Sequence, residues 1–101
     1  MSVRDTLLRK DMPNEIELRA ELKMELDHPR ESREPEIIIE RPNPSTTHLY
    51  VIWSKWKDLE QIIRSRIILD VYEEAKGPDE FDKVTAAMGL TPDEASRLGI
   101  K

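Results

Sequence analysis

His28 and His48 are the side chains best suited to acid–base or metal chemistry, since an imidazole changes charge near neutral pH and its ring nitrogens ligate metals. Neither has company. His28 stands beside Pro29 and His48 lies in an apolar-alternating run, with no His-x-x-x-His pair and no carboxylate at ligand spacing. Glu17, Glu21 and Glu25 recur in the charged phase of an alternating stretch, which is what a solvated face requires. There is no cysteine, which removes disulfides, thiolate metal sites and a cysteine nucleophile. Glycines at positions 77, 89 and 99 cannot build a phosphate-cradling loop, a nucleophile elbow or a dinucleotide fingerprint. No catalytic residue, metal or cofactor is therefore expected.

A second chemistry is available around residues 50–66. Tyr50, Trp53, Lys55, Trp56, Lys57, Arg64 and Arg66 interleave rings with basic groups, the pattern that stacks bases and neutralises phosphates. The competing reading places Trp53 in a core, Trp56 as a staple at a helix start, and the arginines snorkelling outside. Charge disfavours nucleic acid. The formal net charge is −5, and the segments 1–34, 35–76 and 77–101 carry 7 basic and 9 acidic, 6 and 7, and 3 and 5 residues, so no basic field forms. Residues 84–98 have the spacing of a helix-turn-helix, but the second helix would offer a base only Arg97 while turning Asp93 and Glu94 toward phosphate.

The elements that position these residues follow from period and punctuation. Residues 15–27 alternate apolar and charged side chains, and Ile16, Leu18, Ala20, Leu22, Met24 and Leu26 share one face only in a strand. A strand is expected there, against the helical propensity of its residues. Glu36 to Arg41, with three consecutive isoleucines, reads as a second strand, Pro42-Asn43-Pro44-Ser45 as a turn, and Thr46 to Trp53 as a third strand returning antiparallel. From Asp58 to Lys76 the period becomes helical: Leu59, Ile63, Ile67, Val71 and Ala75 recur every fourth residue, with Ile62, Ile68 and Tyr72 widening the stripe. Gly77-Pro78 ends that helix, and Pro78-Asp79-Glu80 opens another through Phe81, Val84 and Met88 to Gly89. Thr91-Pro92-Asp93-Glu94 is a capping box with proline at the first helical position, so a short last helix runs to about Leu98.

Residues His48 to Ile67 resemble the strand-to-helix segment of the BolA family: His48 opens the strand, Ser54 ends it, Trp56 takes the aromatic position, and Arg64-Ser65-Arg66 follows eight residues later. The resemblance covers a fifth of the chain and implies a shared strand-helix geometry. Ser65 stands where that family has the histidine it offers to an iron–sulfur partner, and the family's strand is spaced one residue longer, so no cofactor is carried over.

The expected object is an α+β fold with a three-stranded antiparallel meander covered by one long helix and two short C-terminal helices, residues 14–101 forming a single domain and residues 1–13 an N-terminal arm. A chain of 101 residues supports one modest core. No apolar run reaches the roughly 20 residues of a membrane span, the N-terminus lacks the apolar stretch of a signal peptide, and cytoplasm is the expected location. Strand parity puts Ile37 and Ile39 on one face and Ile38 on the other, and sets His48, Tyr50 and Ile52 against Leu49, Val51 and Trp53, so both sheet faces are partly apolar. One helix covers one face. The expected function is a non-enzymatic interaction or accessory domain, a homodimer formed through the sheet or its edge, with Ile38, His48, Tyr50, Trp56, Arg64 and Arg66 as its surface. The alternatives are a nucleic-acid-binding regulator using the Trp/Arg cluster and a small-molecule or enzyme subunit with a site at a dimer interface.

Overall fold

A computed structural model describes residues 15–30 and 33–100; the N-terminal arm read at residues 1–13 lies outside the described residues. The elements are α1 (Glu15–Asp27), β1 (Glu36–Asn43), β2 (Thr46–Ile52), a 3-10 turn (Ser54–Trp56), α2 (Gln61–Lys76), α3 (Pro78–Phe81), β3 (Val84–Leu90) and α4 (Pro92–Arg97). They make a small α+β fold with a three-stranded mixed sheet in the order β1-β2-β3. β1 pairs antiparallel with β2, and β2 pairs parallel with β3 across the α2 connection.

Two expectations are corrected. Residues 15–27 form a helix, not a strand. A helix satisfies its own backbone donors and acceptors, whereas a strand needs a neighbour for every one of them. Glu, Leu, Arg, Ala, Lys and Met are also strong helix formers, and Leu18, Leu22 and Leu26, four residues apart, still give a buried seam. Alternation on a helix has a further effect: positions two apart differ by about 200°, so the other apolar set, Ile16, Ala20 and Met24, lies on the opposite side in solvent. The second correction concerns the C-terminal half. The helix read from Pro78 to Gly89 is one turn, α3, followed by the strand β3, so the sheet is mixed and no meander forms.

The remaining expectations stand close to their places. The helix read from Asp58 begins at Gln61, with Leu59 buried ahead of it and Ile62 exposed rather than widening the buried stripe. β2, the turn through Trp56 and α2 form the strand-to-helix unit read at His48 to Ile67. The capping box is complete: Thr91 Oγ1 accepts from Glu94 N–H at 3.3 Å, and Glu94 Oε1 accepts from Thr91 N–H at 2.8 Å.

Helices α1 and α2 together, not the single long helix expected, cover one face of the sheet, because residues 15–27 are a helix. Leu18, Leu22 and Leu26 meet Leu49, Val51, Trp53, Ile67, Val71 and Tyr72 in one buried cluster, each leucine contributing about 1.5–3 kcal/mol of burial. The helices lie side by side in the same direction, since Glu15 pairs with Arg66 at 4.0 Å and Arg19 with Asp70 at 2.9 Å. Such exposed pairs add little stability, but their order sets the register. On the other face α4 packs Ala95 over Ile52 and Leu90. No helix among the described residues is long and apolar enough to cross a membrane.

Candidate interaction surface

The Trp/Arg cluster folds inward. Trp56 is 0% exposed, with its Nε1–H donating to the Val51 carbonyl at 3.0 Å and its ring 5.1 Å from that of Trp53 in an edge-to-face arrangement. Arg64 is 5% exposed. Its Nε–H donates to the Leu59 carbonyl at 2.8 Å, and its Nη1 donates to the Gly89 carbonyl at 3.0 Å and to Glu94 Oε1 at 2.7 Å. One guanidinium thus ties the loop before α2, the end of β3 and the start of α4 together. A buried charge is tolerable only when paired and hydrogen-bonded, and both conditions hold here. The bond from Thr91 N–H, followed by that from the Arg64 guanidinium, holds the Glu94 carboxyl below its ordinary range, with burial opposing.

Gly89 is the close-approach point of this junction. A Cβ there would stand 2.8 Å from Arg64 Cβ and 2.9 Å from Trp56 Nε1, inside any ordinary contact. The glycine lets β3 lie against both side chains.

The edges of the sheet are guarded differently. Leu90 turns its carbonyl to Trp53 N–H, so the alternation of backbone groups turns those of Gly89 and Ala87 to the outer edge of β3. There the Gln61 amide donates to the Gly89 carbonyl at 2.8 Å and accepts from Gly89 N–H at 2.9 Å, as a neighbouring strand would. Ser65 Oγ donates to the Ala87 carbonyl at 2.8 Å. The outer edge of β1 carries the exposed Glu40, Arg41 and Pro42, which oppose strand addition.

The face opposite α1 and α2 is left partly open. Register places Ile38 beside Tyr50 and Tyr50 beside Met88, giving an apolar row across all three strands. All three side chains are half-buried, because α4 covers only the neighbouring row of Ile52 and Leu90. At the β1 end the row is bordered by Glu36 and by Glu40, whose Oε1 lies 3.7 Å from His48 Nδ1. At the β3 end it runs into an open hollow of about 350 Å³ lined by Gln61, Met88, Leu90, Glu94, Arg97 and Leu98. One border is acidic, and the other is a hollow edged by Arg97, with Glu94 already held by Arg64.

Of the residues singled out in the sequence, Ile38, His48 and Tyr50 share this open face. Trp56 and Arg64 meet in the buried junction and are not available to a partner or a base. Arg66 stands apart, exposed on α2 beside Glu15. Met88, Arg97 and Leu98 were missed as members of the surface; the signal for Met88 is the parity of Ala86, Met88 and Leu90 once residues 84–90 are read as a strand. Among the described residues no group of three His, Cys, Asp or Glu side chains is placed to hold a metal ion. Comparison with known proteins finds no matching family model, no matching curated protein and no matching solved structure.

Proposed function

We propose that this chain is a protein-interaction domain that self-associates through the open face of its sheet. The observation that carries the reading is the row Ile38–Tyr50–Met88, apolar, half-buried and placed between an acidic border and a hollow edged by Arg97. Such a face is self-complementary. A two-fold axis lying between two sheets and parallel to β2 sets the β1 side of each copy over the β3 side of the other, so that Ile38 faces the hollow beside Met88 and Leu98, Tyr50 meets Tyr50, and Glu36 approaches Arg97. The alternative axis, across the strands, would bring acidic border to acidic border. Side-chain hydrogen bonds at the β3 edge, and exposed Glu40, Arg41 and Pro42 at the β1 edge, disfavour edge pairing and leave the face for association. Sedimentation velocity over about 1 to 100 μM tests the reading: the wild type forms a dimer, and Tyr50→Glu, at a half-exposed position, is monomeric with an unchanged melting temperature. A wild-type monomer throughout that range overturns it.

A further inference from the structure

Beside the apolar row on the open face lies a polar one. Register sets Glu40 opposite His48 and His48 opposite Ala86, so β1 and β2 carry a carboxylate and an imidazole side by side on the face that bears Ile38 and Tyr50. Glu40 and His48 are eight residues apart in sequence. The hairpin brings them together, with Glu40 Oε1 at 3.7 Å from His48 Nδ1. Among the described residues no second ion pair engages either group. The other neighbours of His48 on this face, Thr46, Tyr50 and Ala86, bring no charge.

On the surface of one copy such a pair adds little stability, and two donors do not hold a metal ion. A second copy would complete the set. The axis parallel to β2 that sets Tyr50 against Tyr50 also sets His48 against His48, two residues along the same strand, and carries the two Glu40 side chains to that point from opposite sides. Stacked sheets lie about 10 Å apart, so the midplane is about 5 Å from each β2 backbone, within reach of an imidazole nitrogen and a metal bond of about 2 Å. Four donors at about 2.0–2.2 Å around a tetrahedral ion stand about 3.4 Å from one another. The observed 3.7 Å needs only a small side-chain rotation to match.

Charge points the same way. Two carboxylates brought beside two neutral imidazoles at the centre of a contact leave two negative charges without a counter-charge, and one divalent cation cancels both. Nitrogen and carboxylate donors in a set of four suit zinc, whereas calcium and magnesium take six or more oxygens.

We infer that Glu40 and His48 of two copies form a zinc site of two imidazoles and two carboxylates on the two-fold axis of the dimer. The site exists only in the face-to-face dimer proposed above and so rests on that reading. Zinc acts as a lock on an association that the apolar row begins, and the dimer population follows zinc supply.

The test is equilibrium sedimentation of the full chain in zinc chloride and in EDTA. For the wild type the dimer is at least about tenfold tighter in zinc, calorimetry gives one zinc per two chains, and cobalt in place of zinc gives the visible absorption of a tetrahedral ion. His48→Gln and Glu40→Gln each bring the ratio of the two dimerisation constants toward one, whatever their constant in EDTA, and His28→Gln keeps the wild-type ratio. A wild-type dimer equally tight in zinc and in EDTA overturns the inference and leaves the sheet-face reading standing, whereas a wild-type monomer in both overturns the two together. A zinc response that survives in His48→Gln, or one zinc per chain bound by monomeric Tyr50→Glu, overturns the inference by placing the ion elsewhere. A dimer strengthened by mild acid in EDTA but not by zinc also overturns it, since protons would then balance the carboxylates.

Discussion

At the scale of single residues, the junction of Trp56, Arg64, Gly89 and Glu94 holds most of what can be tested. A methyl at Gly89 would have to displace the Arg64 Cβ and the Trp56 indole, neither of which is a free side-chain end. Overpacking of that kind costs about 1–3 kcal/mol, so Gly89→Ala lowers the urea midpoint while a control Gly99→Ala, with nothing within 4 Å of its Cβ but a φ of 74°, loses only through its backbone. Glu94 makes the second test. Its pKa lies below the ordinary 4.5, chiefly through the Thr91 N–H and then the Arg64 guanidinium. The unfolded chain therefore takes up this proton at a higher pH than the folded one. The contribution is present above the ordinary glutamate value and is lost as pH falls through the lower folded value. Stability measured by urea titration falls as pH drops below the ordinary glutamate value, and Glu94→Gln flattens that fall without abolishing it, because Glu25 is also held low: burial raises its pKa, but the Arg30 hydrogen bonds and the Arg30 and Arg33 charges outweigh it. A slope unchanged in Glu94→Gln would show that the carboxylate is not held as described.

At the scale of elements, α1 decides how the alternating segment should be read. In a strand, Leu22 and Met24 would share one buried face and cost the same to truncate. In the helix they lie on opposite sides, Leu22 at 0% exposure and Met24 in solvent. Leu22→Ala is expected to cost about 2–5 kcal/mol and Met24→Ala less than about 0.5 kcal/mol, read from denaturation midpoints; equal costs would refute the helix. The contrast explains how much was legible. β1, β2, α2 and the capped α4 each carry a signal that local physics makes unambiguous: β-branched runs between prolines, a fourfold period, a Thr-Pro-Asp-Glu start. In residues 15–27 period and propensity disagreed, and the period argument assumed a single buried face where the helix has two apolar ones. Residues 84–90 hid their strand behind the spacing of Phe81, Val84 and Met88; the contrary signals were Val84-Thr85, both β-branched, and Gly89, which in a helix interior would cost about 1 kcal/mol. Parallel pairing with β2 is a long-range event that no local window contains. The open face was half legible for the same reason: Ile38, His48 and Tyr50 follow from the parity of β1 and β2, whereas Met88, Arg97 and Leu98 depend on β3 being there.

For the whole molecule, the question is whether the open face of one copy matches that of another. Its two ends differ in sign and shape, Glu36 on the β1 side and Arg97 beside the hollow on the β3 side. Under the proposed axis parallel to β2 each end of one copy would lie over the other end of its partner, so the proposed dimer would bring Glu36 and Arg97 together twice. Symmetry doubles any change made there. Charges at the rim of an apolar contact set orientation and rate of encounter more than affinity, which gives a particular pattern of outcomes. Arg97→Glu alone places carboxylates against carboxylates at both ends and weakens the dimer, and Glu36→Lys alone does so with positive charges. The double variant exchanges the two ends and restores dimerisation toward the wild type, more completely at low salt than at high salt. Equilibrium sedimentation of the four proteins at two ionic strengths reads this directly. If the double variant is weaker than either single one, the effects are additive losses and the copies are not related by this axis. If none of the three changes the dimer while Ile38→Glu dissolves it, the apolar row still makes the contact but the two sheets meet in another register.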